Sequence, residues 1–183
     1  MTISAQQSES PGSRRDFFWR SLGQLLHPIA EFLSEHFELL LPQDILRPPG
    51  ALPERELLRT CYRCGNCVDA CPAGAIQPLR GYGDELDGTP WIDADVQACV
   101  VCDGLSCMKA CPSGALQLVA ASQIRMGLAR VGADRCLRAA NQDCTICIEK
   151  CPIGERAIGL GRDGRVEVFS SGCVGCGVCQ MHC

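Results

Sequence analysis

All 16 cysteines of this 183-residue chain fall into four runs of four, with none left over. The first run is Cys61-x2-Cys64-x2-Cys67-x3-Cys71, followed by Pro72. The second widens one gap, Cys99-x2-Cys102-x4-Cys107-x3-Cys111, and ends in Pro112. The third, Cys136-x7-Cys144-x2-Cys147-x3-Cys151, ends in Pro152, and the fourth, Cys173-x2-Cys176-x2-Cys179-x3-Cys183, closes the sequence. Cys71, Cys111 and Cys151 recur at a period of 40, and similar residues follow each: CPAGAIQPL, CPSGALQLV and CPIGERAIGL. A repeat of that length means one structural unit used several times.

So many thiols admit disulfides, zinc sites or iron–sulfur clusters. Disulfide scaffolds of secreted proteins are short and do not repeat an x2-x2-x3-Pro spacing. Structural zinc sites pair two C-x2-C knuckles across a longer gap. The run here instead suits a [4Fe–4S] cubane. Three cysteines at two-residue gaps wrap three corners in one tight loop, and the fourth reaches a neighbouring cluster. The proline after it has a fixed φ and no N–H, which suits the start of a short helix. The expectation is four [4Fe–4S] clusters with all 16 cysteines as ligands. Aromatic residues make up only 5% of the chain, so metal ligation must supply part of the folding energy that a richer core would give.

The formal net charge is −4 with thiols counted as neutral. Counting 16 thiolates against four cores of about +2 each takes the loaded chain to roughly −12. With no basic excess to neutralise phosphates, nucleic acid is excluded as a partner.

Along the chain, residues 1–13 are small and polar and read as a disordered N-terminus. Ser13-Arg14-Arg15-Asp16-Phe17-Phe18 resembles the start of a twin-arginine export signal, but the required apolar stretch does not follow. Phe18, Leu22, Leu25, Ile29, Phe32, Leu33, Phe37 and Leu40 instead recur every three or four residues. Residues 14–45 therefore read as an amphipathic helical extension that packs on its own domain, a membrane subunit or a membrane surface. No segment offers the roughly 20 uncharged apolar residues of a membrane span. The expected location is cytoplasmic and membrane-associated, with periplasmic export by the twin-arginine route as the alternative.

Leu46-Arg-Pro-Pro-Gly-Ala-Leu-Pro53 predicts a stiff linker, and Glu54–Thr60 a short helix leading into Cys61. Residues 61–183 are expected to form a ferredoxin-like α+β domain of short strands and helices around the clusters. Trp91–Asp93 and Arg165–Phe169 read as strands, and Asp163-Gly164 as a hairpin turn. Ile76, Leu116 and Ile158, shortly after each Cys-Pro, are placed to cover a cluster with hydrocarbon. The widened loops Asp103–Ser106 and Leu137–Asp143 are candidate docking edges, with Arg138 and Asp143 as the residues to test, or insertions with no such task.

From Leu46 onward the sequence resembles the ferredoxin-type MauM/NapG family of accessory electron-transfer proteins. The matching features are Leu46-Arg-Pro-Pro-Gly50, the first run, the widened second run, Cys-Pro-Ser-Gly-Ala-Leu, Arg125-Met-Gly-Leu-Ala129 and the long third run. The resemblance implies an electron relay between a quinol-linked donor and a terminal redox enzyme. It also implies a true export signal, which is missing here, and a Pro and tail after the last cysteine, whose absence suggests a shortened reading frame.

The runs can pair sequentially or in a nest. The first and fourth are compact and the second and third are both widened, which favours nesting. That would place Cys61, Cys64 and Cys67 with Cys183, and Cys173, Cys176 and Cys179 with Cys71. It would also place Cys99, Cys102 and Cys107 with Cys151, and Cys136, Cys144 and Cys147 with Cys111. A substrate-binding constellation is missing: there is no P-loop and no radical-type C-x3-C-x2-C run. His27, His36 and His182 lack metal-ligand spacing. The expected function is an electron carrier or oxidoreductase subunit rather than an enzyme, working with redox partner proteins. The alternative is a non-catalytic scaffold or assembly protein of a redox complex, held together by its clusters.

Overall fold

A computed structural model of the chain describes residues 45–183. The expectations for the N-terminus and for the helical extension lie outside the described residues. The described part is built from short pieces. Helix α1 (Glu54–Thr60) is followed by one-turn helix α2 (Asn66–Asp69) and hairpin strands β1 (Ile76–Pro78) and β2 (Pro90–Ile92). Then come α3 (Ser106–Lys109), α4 (Ile146–Glu149), strands β3 (Ile158–Leu160) and β4 (Val166–Val168), and α5 (Val178–Met181). These small helices and antiparallel strand pairs agree with an α+β, ferredoxin-like fold. Among the described residues no helix is long and apolar enough to cross a membrane.

The repeat seen in the sequence is visible as structure. Helices α2, α3, α4 and α5 each carry the third cysteine of a run, Cys67, Cys107, Cys147 and Cys179. Two compact runs enter their helix through a left-handed glycine, Gly65 at φ 80° and Gly177 at φ 86°, where a side chain would be strained. The widened second run asks the same of Leu105, at φ 44°. After the first and third Cys-Pro the chain forms a hairpin, with Ile76 opposite Ile92 and Ile158 opposite Val168. After the second it forms none, and Leu116 bridges Ala51 instead.

That bridge overturns the linker expected over Leu46–Pro53. The segment is a buried strap. Pro48 and Pro49 are fully buried, and Leu46 bridges Ile92 at the edge of the first hairpin through an Ile92 N–H to Leu46 carbonyl bond of 2.8 Å. Further along, Leu52 donates to the Ala115 carbonyl and Gln117 to that of Gly50 (3.0 and 2.7 Å). Gly50 has no room for a side chain, since a Cβ there would meet Gln117 O at 2.1 Å. Arg47, 8% exposed, fixes the strap. Its guanidinium holds both Glu54 carboxylate oxygens, the Thr89 hydroxyl (2.9 Å) and the Pro90 carbonyl (2.7 Å). Thr89, wholly buried, donates its own hydroxyl hydrogen bond to the Leu86 carbonyl. The expected short helix is α1, where Glu54 and Glu56 in the first turn and Arg59 in the last suit the helix dipole.

One hydrophobic core joins these pieces. It gathers Leu57, Ile76, Ile92, Met108, Leu116 and Ile124 with Val174 and Val178 of the fourth run. In the second hairpin, Gly159-Leu160-Gly161-Arg162-Asp163-Gly164 spells G-x-G-x-x-G. A dinucleotide loop needs that spacing between a strand and a helix. Here it joins two antiparallel strands, so the spacing only makes a turn.

Candidate metal centres

Twelve of the 16 cysteines converge in three groups, each drawn from two runs. Helix α2 packs on α3, and α4 on α5. Each pair therefore brings one run's loop to the end of the other's helix. Site A is a cavity of about 320 Å³ lined by Cys61, Cys64, Cys67 and Cys111, with Leu79, Ala115 and Leu116 among its walls. Site B is lined by Cys71, Cys99, Cys102 and Cys107, closed by Pro49, Ile76 and Leu105. Site C is lined by Cys151, Cys173, Cys176 and Cys179, closed by Ala129, Ile158 and Val174. In the remaining group, Cys136 and Cys144 stand close enough to Cys147 for their charges to act on its thiol.

This is not the nested arrangement. Cys111 lies with the first run rather than the third, Cys71 with the second rather than the fourth, and Cys151 with the fourth rather than the second. The reason is the short connection. The fourth cysteine follows its one-turn helix directly, so it lands in whichever loop that helix packs against. Equal loop lengths carry no information about that packing. The remaining expected ligand, Cys183, is exposed and follows α5.

The thiols oppose one another's ionisation. Burial, with the charges of Cys61 and Cys111, pushes the Cys67 thiol up to about 11. Burial and the nearby Cys99, Cys102 and Cys71 push Cys107 up to about 12. Burial, then Cys176 and Cys173, take Cys179 to about 11. Four thiolates can share such a space only around a cationic core, which deprotonates its ligands outright. Backbone amides already point at the sulfurs. Arg63 N–H donates to Cys61 Sγ (3.4 Å), Ala75 N–H to Cys71 Sγ (3.3 Å), Val101 N–H to Cys99 Sγ (3.5 Å) and Leu116 N–H to Cys111 Sγ (3.3 Å). At Cys111 burial raises the thiol, but the Leu116 amide, the Ser113 hydroxyl and the Ser113 and Gly114 amides together outweigh it and the net shift is downward. Among the described residues no three His, Cys, Asp or Glu side chains gather on a point that would hold a single metal ion. Four sulfurs, amides aimed at sulfur and apolar walls fit an iron–sulfur cubane, whose potential such groups tune.

Ile76, Leu116 and Ile158 each line the site that holds the fourth cysteine just before them, as the sequence suggested. The Leu137–Asp143 loop has a structural job. Arg138 donates to the Gly164 carbonyl (2.6 Å) and to Asp143 (2.5 Å), pinning the loop on the β3–β4 turn. Replacing Arg138 would therefore disturb that turn as well as any docking surface. His182 is exposed. Residues missed by sequence reading include Arg47, Thr89 and the glycines around Cys176. The pairing of Gly175 and Gly177 about a ligand was the available signal.

A family model described as a 4Fe-4S dicluster domain matches residues 60–115, the span of sites A and B. Among curated proteins, the methylamine utilization ferredoxin-type protein MauM of Paracoccus denitrificans is 40% identical over 149 residues, 75% of this chain and 66% of that protein. MauM of Methylorubrum extorquens is 42% identical over 149 residues, covering 75% and 67%. The ferredoxin-type protein NapG of Escherichia coli is 36% identical over 151 residues, covering 75% and 65%. The chain thus spans about two thirds of the length of these relatives. No solved structure matches.

Proposed function

The chain belongs to the ferredoxin-type family that includes MauM and NapG, and on that premise we propose that it carries electrons through four [4Fe–4S] clusters between redox partner proteins. The observation that carries this reading is the convergence of four sulfurs from two adjacent runs, met by backbone amides and apolar walls, at sites A, B and C. By the same adjacency, Cys136, Cys144, Cys147 and Cys183 form site D. The packing of α4 on α5 and the match of Cys183 to Cys71 in the repeat support that assignment. When bound, each cluster supplies one-electron chemistry, and the protein sets spacing and potential. The chain's own part is to hold 16 thiolates, aim amide dipoles at them and keep water from the inner sites. The donor in this reading is a quinol-linked protein and the acceptor a redox enzyme, the roles that the family resemblance implies.

Anaerobic analysis of the purified chain tests this directly. The expected result is about 16 iron and 16 sulfide per chain, four of each per cubane, with clusters that cycle reversibly in a redox titration. Clusters that never cycle at accessible potentials, or metal other than iron, would overturn the relay. Cys111→Ser tests the pairing. It is expected to loosen the Cys61–Cys67 loop and leave the Cys136–Cys147 loop unchanged in hydrogen exchange, whereas nesting demands the reverse.

A further inference from the structure

The four sites form two pairs, A with B and C with D, each made by one pair of helices. What joins the pairs is a separate feature of the fold, and it lies where the fourth run meets the first half of the domain.

Three observations define that contact. The Cys99 N–H donates to the Cys176 carbonyl at 3.1 Å, so a site B ligand and a site C ligand share a peptide hydrogen bond. The Met126 N–H donates to the Val174 carbonyl at 2.9 Å, and the Ala98 N–H points at Met181 Sδ at 3.3 Å. Two glycines permit the approach. A Cβ on Gly175 would stand 2.3 Å from Gly127 N, and one on Gly177 would stand 2.6 Å from Ala94 Cβ.

Burial follows the same order. Site B includes buried Cys107, and site C includes buried Cys173 and Cys176. Exposed Cys64 belongs to site A, and exposed Cys183 follows α5. We propose that the two halves are joined through their inner sites B and C at a glycine-floored seam, with Gly177 and Ala94 as positioning residues, so that an electron passing between the halves crosses from B to C. The Arg125–Ala129 segment gains a role from this: it is the bed on which Val174 and Gly175 rest. The proposal rests on the four-cluster reading for its redox meaning, but the seam itself is a matter of backbone contacts.

The test is Gly177→Ala in the full, iron-loaded chain, with Ala94→Gly added as the rescue. Removing the Ala94 Cβ leaves the next atoms 3.6 Å away, so the steric part of the defect is reversible. The expected result is about tenfold faster hydrogen exchange at the Cys99 and Met126 amides, with the Leu79 amide of the first hairpin unchanged. The electron paramagnetic resonance of the reduced chain is expected to lose the broadening that comes from interaction between inner clusters. Both changes should reverse in part in the double variant, the remainder being the strain of a side chain at the left-handed φ of 86°. Faster exchange confined to residues 173–183, or unchanged broadening in a variant that keeps its iron, would overturn the seam. If Gly177→Ala does not load, the wild type decides: Cys99 and Met126 amides that exchange at unprotected rates overturn the proposal, and protected ones sustain it. Iron near eight per wild-type chain would instead overturn the four-cluster reading, while the amide rates still judge the seam.

Discussion

The two hairpins of the domain come from the same repeat, yet they are held differently. The first is strapped. Leu46 bridges Ile92 at its edge, Arg47 ties its loop through Thr89 and Pro90, and Ile76 and Ile92 are buried. The second has no such strap among the described residues. Its turn is pinned by Arg138, and Leu160 on β3 is 46% exposed. The contrast teaches that one repeat unit does not bury its own sheet edge. A two-stranded hairpin is marginal alone, so the first hairpin borrows a third segment, and the second leans on the cysteine loops of site C, which Ile158 and Val168 line.

Removing the metal is the strongest way to expose this difference. Chelation under anaerobic conditions is expected to abolish protection in β3–β4 completely while β1–β2 keeps a measurable remnant, read by limited proteolysis or hydrogen exchange. Equal loss in both hairpins would erase the distinction. Next in size is Arg47→Met, which leaves the Glu54 carboxylate unpaired and takes their charged donor from the Thr89 oxygen and the Pro90 carbonyl. Losing this part-buried pair together with the buried hydrogen bonds costs about 3 kcal/mol. Denaturation of the loaded chain should show the loss, with exchange rising in the strap and first hairpin but not in β3–β4. A matched pair of truncations sharpens the comparison further. Ile92→Ala, at a fully packed position, is expected to cost about 2–4 kcal/mol, and the half-exposed Leu160→Ala under about 1. The smallest effect is at the tip of the first hairpin. Asp87 accepts from the Tyr82 and Gly81 amides (2.9 and 3.1 Å), and these bonds hold its carboxyl below the usual range. Its contribution is present above the ordinary aspartate pKa and is lost as pH falls through the lowered one. Asp87→Asn should speed exchange at Gly81 and Tyr82 at neutral pH and leave the Gly164 turn unaffected.

What the sequence made legible was local chemistry. Cysteine spacing marked the loops that gather sulfur, Asp163-Gly164 marked a turn, and Ile76, Leu116 and Ile158 were placed over the sites because their position after each Cys-Pro is fixed by a few residues of chain. Two things were not legible, for one reason. Leu46-Arg-Pro-Pro-Gly reads as a linker because prolines lack N–H groups, but its burial depends on Ile92 and Leu116, distant in sequence. The pairing of runs likewise depends on which one-turn helix meets which, a tertiary choice that loop length does not encode. The Gly-Cys-Gly around Cys176 was the nearest local trace of that choice. Paired left-handed or crowded glycines beside a ligand signal a backbone that something else must approach.

The pairing of neighbouring runs has a consequence for how the protein is made. Ribosomes deliver a chain from its N-terminus, and early segments fold first. A nested scheme would leave the Cys61–Cys67 loop waiting for the last residue. Here its partner, Cys111, emerges while the whole second half is still unmade, and the strap that braces the first half has emerged before either. The first half can therefore be furnished with metal during translation and then serve as the template against which the nascent fourth run comes to rest.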